Sequence, residues 1–115
     1  MQTNHSRLSF ITGGGLYLFS PEQIIRLEAL SNYTCIHFVG HKPIVMAKVL
    51  REYEKMLEPY GFIRTHRSHL VNRRHITQVD AQGHIIMNDS SKAEISRRKK
   101  REVIQSLINP NKSAA

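Results

Sequence analysis

Turn-forming residues interrupt this chain so often that little room is left for long helices. Gly13-Gly14-Gly15, Ser20-Pro21, Ser31-Asn32, residues 40–42, Gln82-Gly83 and residues 88–91 are all turn signals. The runs between them are short and several are rich in β-branched and aromatic residues. Residues 8–12 and 16–19 read as the strands of a hairpin joined by the three glycines. The glycines are no phosphate loop, because no Lys-Ser/Thr follows and strands flank them. Residues 24–30 alternate, with Ile25, Leu27 and Ala29 on one face and Arg26 and Glu28 on the other. Residues 35–39, with Ile36 and Phe38 on one face, and residues 43–46, 62–66, 70–72, 76–79, 84–87 and 93–95 are further extended segments.

Two segments depart from this pattern. From Lys48 the apolar residues Val49, Leu50, Tyr53, Met56 and Leu57 fall on one helical face, and Pro59 and Gly61 end the helix. Ser96 reads as the N-cap of a final helix whose apolar face is Val103, Ile104, Leu107 and Ile108. Roughly eight or nine short strands and two short helices make a mainly β, sandwich-like domain rather than a wound α/β sheet. The 115 residues suffice for one domain, expected at 8–108, with a flexible N-terminus at 1–7 and a flexible tail at 109–115.

Charge narrows the function. Lys and Arg number 17 against 9 Asp and Glu, a net charge of +8, which suits a polyanionic partner such as nucleic acid or anionic lipid. The excess is concentrated. No acidic residue lies between Glu58 and Asp80, where Arg64, His66, Arg67, His69, Arg73, Arg74 and His75 occur, and residues 97–101 are five consecutive cations. One such run is commonly a solvated face. Two runs in one domain must be held apart or neutralised by a partner. The second run also opens the final helix, where free backbone N–H groups disfavour each cation by about 0.3–1 kcal/mol at low salt. That arrangement makes sense if an anion such as a phosphate arrives from outside; otherwise the first turn is solvated and frayed.

Other classes fit less well. The single cysteine, Cys35, permits neither an internal disulfide nor a cysteine-based zinc site and reads as a small core residue, and reducing cytoplasm is the expected compartment. No apolar run approaches a membrane span, and the N-terminus lacks the apolar stretch of a signal peptide. Seven histidines invite a search for metal or acid–base chemistry, yet His-Glu-x-x-His, paired carboxylates and Gly-x-Ser-x-Gly do not occur. His66 and His69, three apart, would face opposite sides of a strand. No enzyme, metal, cofactor or small-molecule substrate is expected.

The stretch Phe62-Ile63-Arg64-Thr65-His66-Arg67-Ser68-His69-Leu70-Val71-Asn72, followed by Ile76, resembles the signature of LytTR DNA-binding domains, the LytR/AgrA-like transcriptional regulators of bacteria. Ile24-Ile25 with Glu28-Ala29 and Asn32-Tyr33-Thr34 is similar to the family's upstream strand and loop. Lys48-Val49-Leu50 fits its next helix, and Ile95-Ser96-Arg97-Arg98 its closing strand and last helix. The resemblance covers residues 8–107. It implies an elongated β-β-β sandwich of antiparallel sheets with small helices. It also implies sequence-specific binding of double-stranded DNA, on tandem repeats with a second copy on the adjacent site, in transcription control. Loops rather than a recognition helix would enter successive major grooves. Family members commonly carry a phosphorylatable receiver domain or a membrane segment. These residues contain neither, so the chain reads as a stand-alone regulator or a C-terminal piece.

Carried over by position, the resemblance puts Asn32, Tyr33, Arg67 and Arg98 on base edges. Their chemistry agrees: Arg can bond guanine O6 and N7, and Asn adenine, through two hydrogen bonds. Lys48, Arg64, His66, His69, Arg73, Arg74, Arg97, Lys99 and Lys100 are assigned to phosphates, which position a protein without reading sequence. Arg64 could instead be a paired surface charge, and His66 could make a structural hydrogen bond near the loop. Ser68 reads as a turn residue, and Asn72 as a partner for backbone groups. The rival reading is a non-specific nucleic-acid or anionic-surface binding module. It is weakened because most of the eight aromatic residues occupy core positions rather than forming exposed stacking pairs.

Overall fold

The computed structural model describes residues 7–108. The flexible termini expected at 1–7 and 109–115 lie, apart from Arg7, outside the described residues. Strands β1 (Leu8–Thr12) and β2 (Gly15–Phe19) form a two-stranded antiparallel ribbon with Thr12 opposite Gly15. Gly13 and Gly14 make the turn, where the Thr12 hydroxyl accepts the Gly14 N–H at 3.0 Å. A five-stranded antiparallel sheet follows, built from β3 (Ile24–Leu30), β4 (Tyr33–Phe38), β5 (His41–Met46), β6 (Phe62–His66) and β7 (His69–Asn72). Its order is β5-β4-β3-β7-β6. The third sheet has the order β10-β9-β8, from β8 (Ile76–Val79), β9 (Ile85–Met87) and β10 (Lys92–Ala93). Helix α1 (Leu50–Leu57) lies between β5 and β6, and α2 (Lys100–Ile108) ends the described chain.

The central sheet has an apolar cluster on each face. One cluster joins Phe10 and Phe19 of the ribbon and Leu50, Tyr53 and Leu57 of α1 to Ile24, Leu27, Ile36, Phe38 and Leu70. The other joins Ile25 and Val71 to Ile85, Met87, Ala93 and Val103. This is the mainly β, three-sheet sandwich with two short helices that the turn spacing and the family signature imply. It extends 40 Å in two directions and 24 Å in the third.

Strand β3 departs from simple alternation. A register shift between Ile24 and Arg26 against β4 adds a residue, so Ile25 faces the second cluster while Leu27 and Ala29 face the first. A one-residue slip moves a side chain to the opposite face, and an alternation count across the bulge cannot detect it. Arg26 is consequently buried, donating from Nε to Ser91 Oγ at 2.9 Å and from Nη1 to Glu28 Oε1 at 3.3 Å.

In α1 the inward stripe is Leu50, Tyr53 and Leu57. Val49 and Met56, expected on that face, are 42 % and 39 % exposed. Val49 precedes the helix as its extended N-cap residue. The chain then turns through Glu58–Tyr60 to Gly61, whose φ of 88° suits a residue without a Cβ.

Asn72, at the lower end of β7, is 1 % exposed. Its Nδ2 donates to the Ile24 carbonyl at 2.9 Å, and its Oδ1 accepts the Arg74 N–H at 3.1 Å. Among the described residues no helix is long and apolar enough to cross a membrane.

Candidate nucleic-acid interface

Strand order brings three connections to one edge of the central sheet. β3 and β4 join at residues 31–32, with Leu30 opposite Tyr33. β6 and β7 join at residues 67–68, with His66 opposite His69 and His69 opposite Glu28. β5 ends at Met46, opposite Thr34. Two bonds couple neighbouring connections: Ala29 N–H donates to the Ser68 carbonyl at 3.0 Å, and buried Thr34 donates its hydroxyl to the Lys48 carbonyl at 2.7 Å. Ser31 takes the left-handed conformation (φ 57°), and Asn32 and Tyr33 are exposed beyond it. Lys48 is exposed at the same edge, with Nζ 5.6 Å from the centre of the Tyr53 ring.

The start of the last helix is fastened beside these turns. Ser96 N–H donates to the Thr65 carbonyl at 2.8 Å, and the buried Thr65 hydroxyl donates to the Glu94 carbonyl at 2.8 Å. Ser96 caps a single turn, Arg97–Lys99, with its hydroxyl accepting the Lys99 N–H at 3.3 Å; α2 proper starts at Lys100. The expected cap is therefore present, but the first three cations belong to a tighter 3-10 turn. One cleft is lined by Glu54, Arg64, His66, Arg67, Ser96, Arg98 and Lys99, so Arg67 and Arg98 share it although they are far apart in sequence.

Both arginines are exposed, and among the described residues neither guanidinium has a hydrogen-bond or ion-pair partner. The acids that could have neutralised them are directed elsewhere. Glu94 Oε1 lies 3.5 Å from His66 Nε2, and Asp89 Oδ1 accepts the Ser91 N–H at 3.0 Å.

The cations assigned to phosphates do not form one set. Arg97 and Lys100 are exposed, and the Lys100 side chain lies over Gly83 in the turn between β8 and β9. Lys99 donates from Nζ to the Arg64 carbonyl at 3.1 Å. Arg64 donates from Nη1 to Glu54 Oε1 at 2.6 Å, from Nε to the His66 carbonyl at 2.9 Å and from Nη2 to the Arg67 carbonyl at 2.6 Å. His66 makes the structural bond: its Nδ1 accepts the Ser68 N–H at 3.0 Å. His69 is only 8 % exposed, and among the described residues its Nδ1 has no hydrogen-bond partner. Burial pushes its pKa down; Glu28 opposes that shift, and His66 and Arg26 add to it. Arg73 and Arg74 follow β7 at the far end of the sheet, about 15–20 Å from the 67–68 turn at the usual strand rise. There Arg73 Nη2 reaches Ser106 Oγ at 3.4 Å, while Arg74 is exposed.

Two expectations from spacing change. His66 and His69 belong to different strands joined by a turn, so they pair across it with ring centres 5.5 Å apart rather than facing opposite sides. Cys35 is partly exposed, opposite in orientation to core residue Ile36, with Sγ 3.6 Å from His37 Nε2. Burial pushes the thiol up, away from the thiolate. Among the described residues no three His, Cys, Asp or Glu side chains gather to hold a metal. Glu54 and Thr65 were the residues that spacing could not flag: each meets its partner through tertiary pairing, and no local pattern marks it.

The model of the LytTr DNA-binding domain family matches residues 14–108. The transcriptional regulatory protein LytR of Staphylococcus aureus, in strains N315 and COL among others, is 36% identical over 64 residues, which is 56% of this chain and 26% of the relative. The chain thus spans about a quarter of the length of these curated relatives. The solved structure of a LytTr DNA-binding domain from Bacillus cereus superposes with a TM-score of 0.73 at 23% identity, covering 91% of this chain and 98% of that one.

Proposed function

The chain belongs to the LytTr DNA-binding domain family, and from that membership we propose that it reads specific sequences in duplex DNA through the turns at one edge of its central sheet, in control of transcription. The observation that carries this reading is the pair of unpartnered guanidinium groups, Arg67 and Arg98, on one cleft. Neither must leave a carboxylate to reach a base. Each can bond guanine O6 and N7, and the exposed amide of Asn32 can do the same for adenine while Tyr33 lies beside it.

Lys48, Arg97 and Lys100 supply phosphate contacts, while Lys99 is held on the Arg64 carbonyl. Arg73 and Arg74, at the far end of the sheet, stand outside this interface. The 40 Å dimension of the domain exceeds the roughly 34–36 Å of one DNA turn, so the domain as a whole is long enough to lie along successive major grooves on one side of the duplex. The names of the S. aureus relatives support a role in transcription. Binding of a second copy to an adjacent repeat, and action in the cytoplasm, belong to the same reading.

The test is to select duplexes from a random pool and measure their affinity by fluorescence anisotropy across a salt series. Neutralising about four to six phosphates gives a slope of log K against log salt near −4 to −5. The selected duplex should bind at least ten-fold more tightly than a scrambled one. Equal affinity for every duplex would turn the reading into a non-specific nucleic-acid or anionic-surface module, and a slope near zero would remove DNA phosphates from it altogether.

A further inference from the structure

Arg64 is one of the cations in the acid-free stretch, yet its guanidinium points back into the protein. Its side chain is 18% exposed. The Nε and Nη2 edge spans two successive carbonyls, those of His66 and Arg67, while Nη1 meets the Glu54 carboxylate of α1. A planar fork with donors at fixed angles can serve three such acceptors at once; the ammonium of lysine is a point charge on a flexible stem. The backbone of Arg64 is itself held, because its carbonyl accepts from Lys99 Nζ at 3.1 Å. The turn gripped in this way ends at Ser68, whose N–H is taken by His66 Nδ1.

We propose that Arg64 is a positioning residue: it clamps the 67–68 turn so that Arg67 is presented to a base, and it does not itself bind a phosphate. The inference rests on the reading of Arg67 as a base contact. Its physical content is pre-organisation. A turn fixed before binding loses less freedom when the guanidinium of Arg67 docks, and the saving is realised only on the sequence that Arg67 fits. Arg67 leaves its own side chain free while its carbonyl is held, so order in the turn and availability of the base contact are compatible.

The experiment compares the parent, Arg64→Lys and Arg67→Ala on the selected and scrambled duplexes across salt. It also follows amide exchange at Ser68 in each free protein. Lysine keeps the charge, so a phosphate role predicts near-parental binding by Arg64→Lys. The clamp predicts instead that Arg64→Lys binds the scrambled duplex with parental affinity and salt slope, loses ten-fold or more on the selected duplex, and exchanges the Ser68 amide at least ten-fold faster. Parental selectivity with parental Ser68 exchange would overturn the proposal, as would an equal loss on both duplexes.

If Arg64→Lys does not fold, Glu54→Gln removes the carboxylate alone. The same pair of changes is then expected, in smaller measure, and their absence overturns the clamp. Should Arg67→Ala retain full selectivity, the base contact fails, while the Ser68 exchange still decides whether Arg64 orders the turn.

Discussion

Ser96 donates its backbone N–H to the carbonyl of Thr65 at 2.8 Å, and that bond fastens the turn bearing Arg98 to the strand that leads into Arg67. Thr65 is fully buried and also donates its hydroxyl to the Glu94 carbonyl at 2.8 Å. The two attachments bring cations from distant parts of the chain onto one cleft, against their mutual repulsion.

Thr65→Val keeps the shape of the side chain and removes the second attachment. The Glu94 carbonyl loses its partner, which costs about 1–3 kcal/mol where water cannot replace it. Urea unfolding should show a lower midpoint with an unchanged slope, since the surface exposed on unfolding is the same. Binding to a selected duplex should weaken more than binding to a scrambled one. An unchanged midpoint would mean that the hydroxyl bond contributes nothing to holding the Arg98 turn.

Lys99 and Lys100 are adjacent cations in different surroundings. Lys100 is exposed, whereas Lys99 bonds the Arg64 carbonyl. Lys100→Ala should leave the melting temperature near the parental value and reduce the magnitude of the salt slope by roughly one, equally on specific and random DNA. Lys99→Ala should lower both the melting temperature and the binding to the selected duplex. Calorimetry with anisotropy separates the two. Identical behaviour of the variants would remove the distinction.

The fold was legible where its signals are local. The glycine turn between β1 and β2, the stop at Gly61 and the Ser96 cap each follow from a few neighbouring residues. The face of Ile25 was not, because the bulge in β3 is set by pairing with β4 rather than by β3 itself. The same boundary divides the site. The family signature pointed to Arg67 and Arg98, and charge to the basic runs. Which cations are free was hidden, since Arg64 meets Glu54 across the gap between β6 and α1, and Lys99 reaches the Arg64 carbonyl. Cations alike in sequence therefore differ in the partners that tertiary hydrogen bonds give them.

Acid should destabilise the fold through two histidines. Burial depresses His69, against Glu28 and with His66 and Arg26; burial also depresses His37, with Arg26 adding and Glu28 opposing. In the unfolded chain both titrate near pH 6.5. Below that pH the unfolded state binds more protons than the folded one, so stability is full above about 6.5 and falls as pH drops through the depressed folded values. Melting temperatures taken from pH 8 to 5 should decline on the acid side. The decline should be shallower in the double variant His37→Gln, His69→Gln. Equal pH dependence in parent and variant would exclude both groups as its source.

The sharpest prediction concerns Arg67 and Arg98, the exposed arginines without partners on the shared cleft. Removing an exposed side chain that bonds nothing should change stability by no more than about 0.5 kcal/mol. Arg67→Ala and Arg98→Ala should therefore melt near the parental temperature. If each makes a two-bond contact with guanine, its loss removes about 1–3 kcal/mol of discrimination, ten-fold or more in affinity for the selected duplex. Scrambled DNA, held by phosphate contacts, should weaken much less. A duplex with the contacted base pair replaced should bind parent and variant almost equally, because the same bonds are absent from both complexes. Equal losses on all duplexes would instead assign these guanidinium groups to phosphates, and the base contacts would have to be sought at Asn32 and Tyr33.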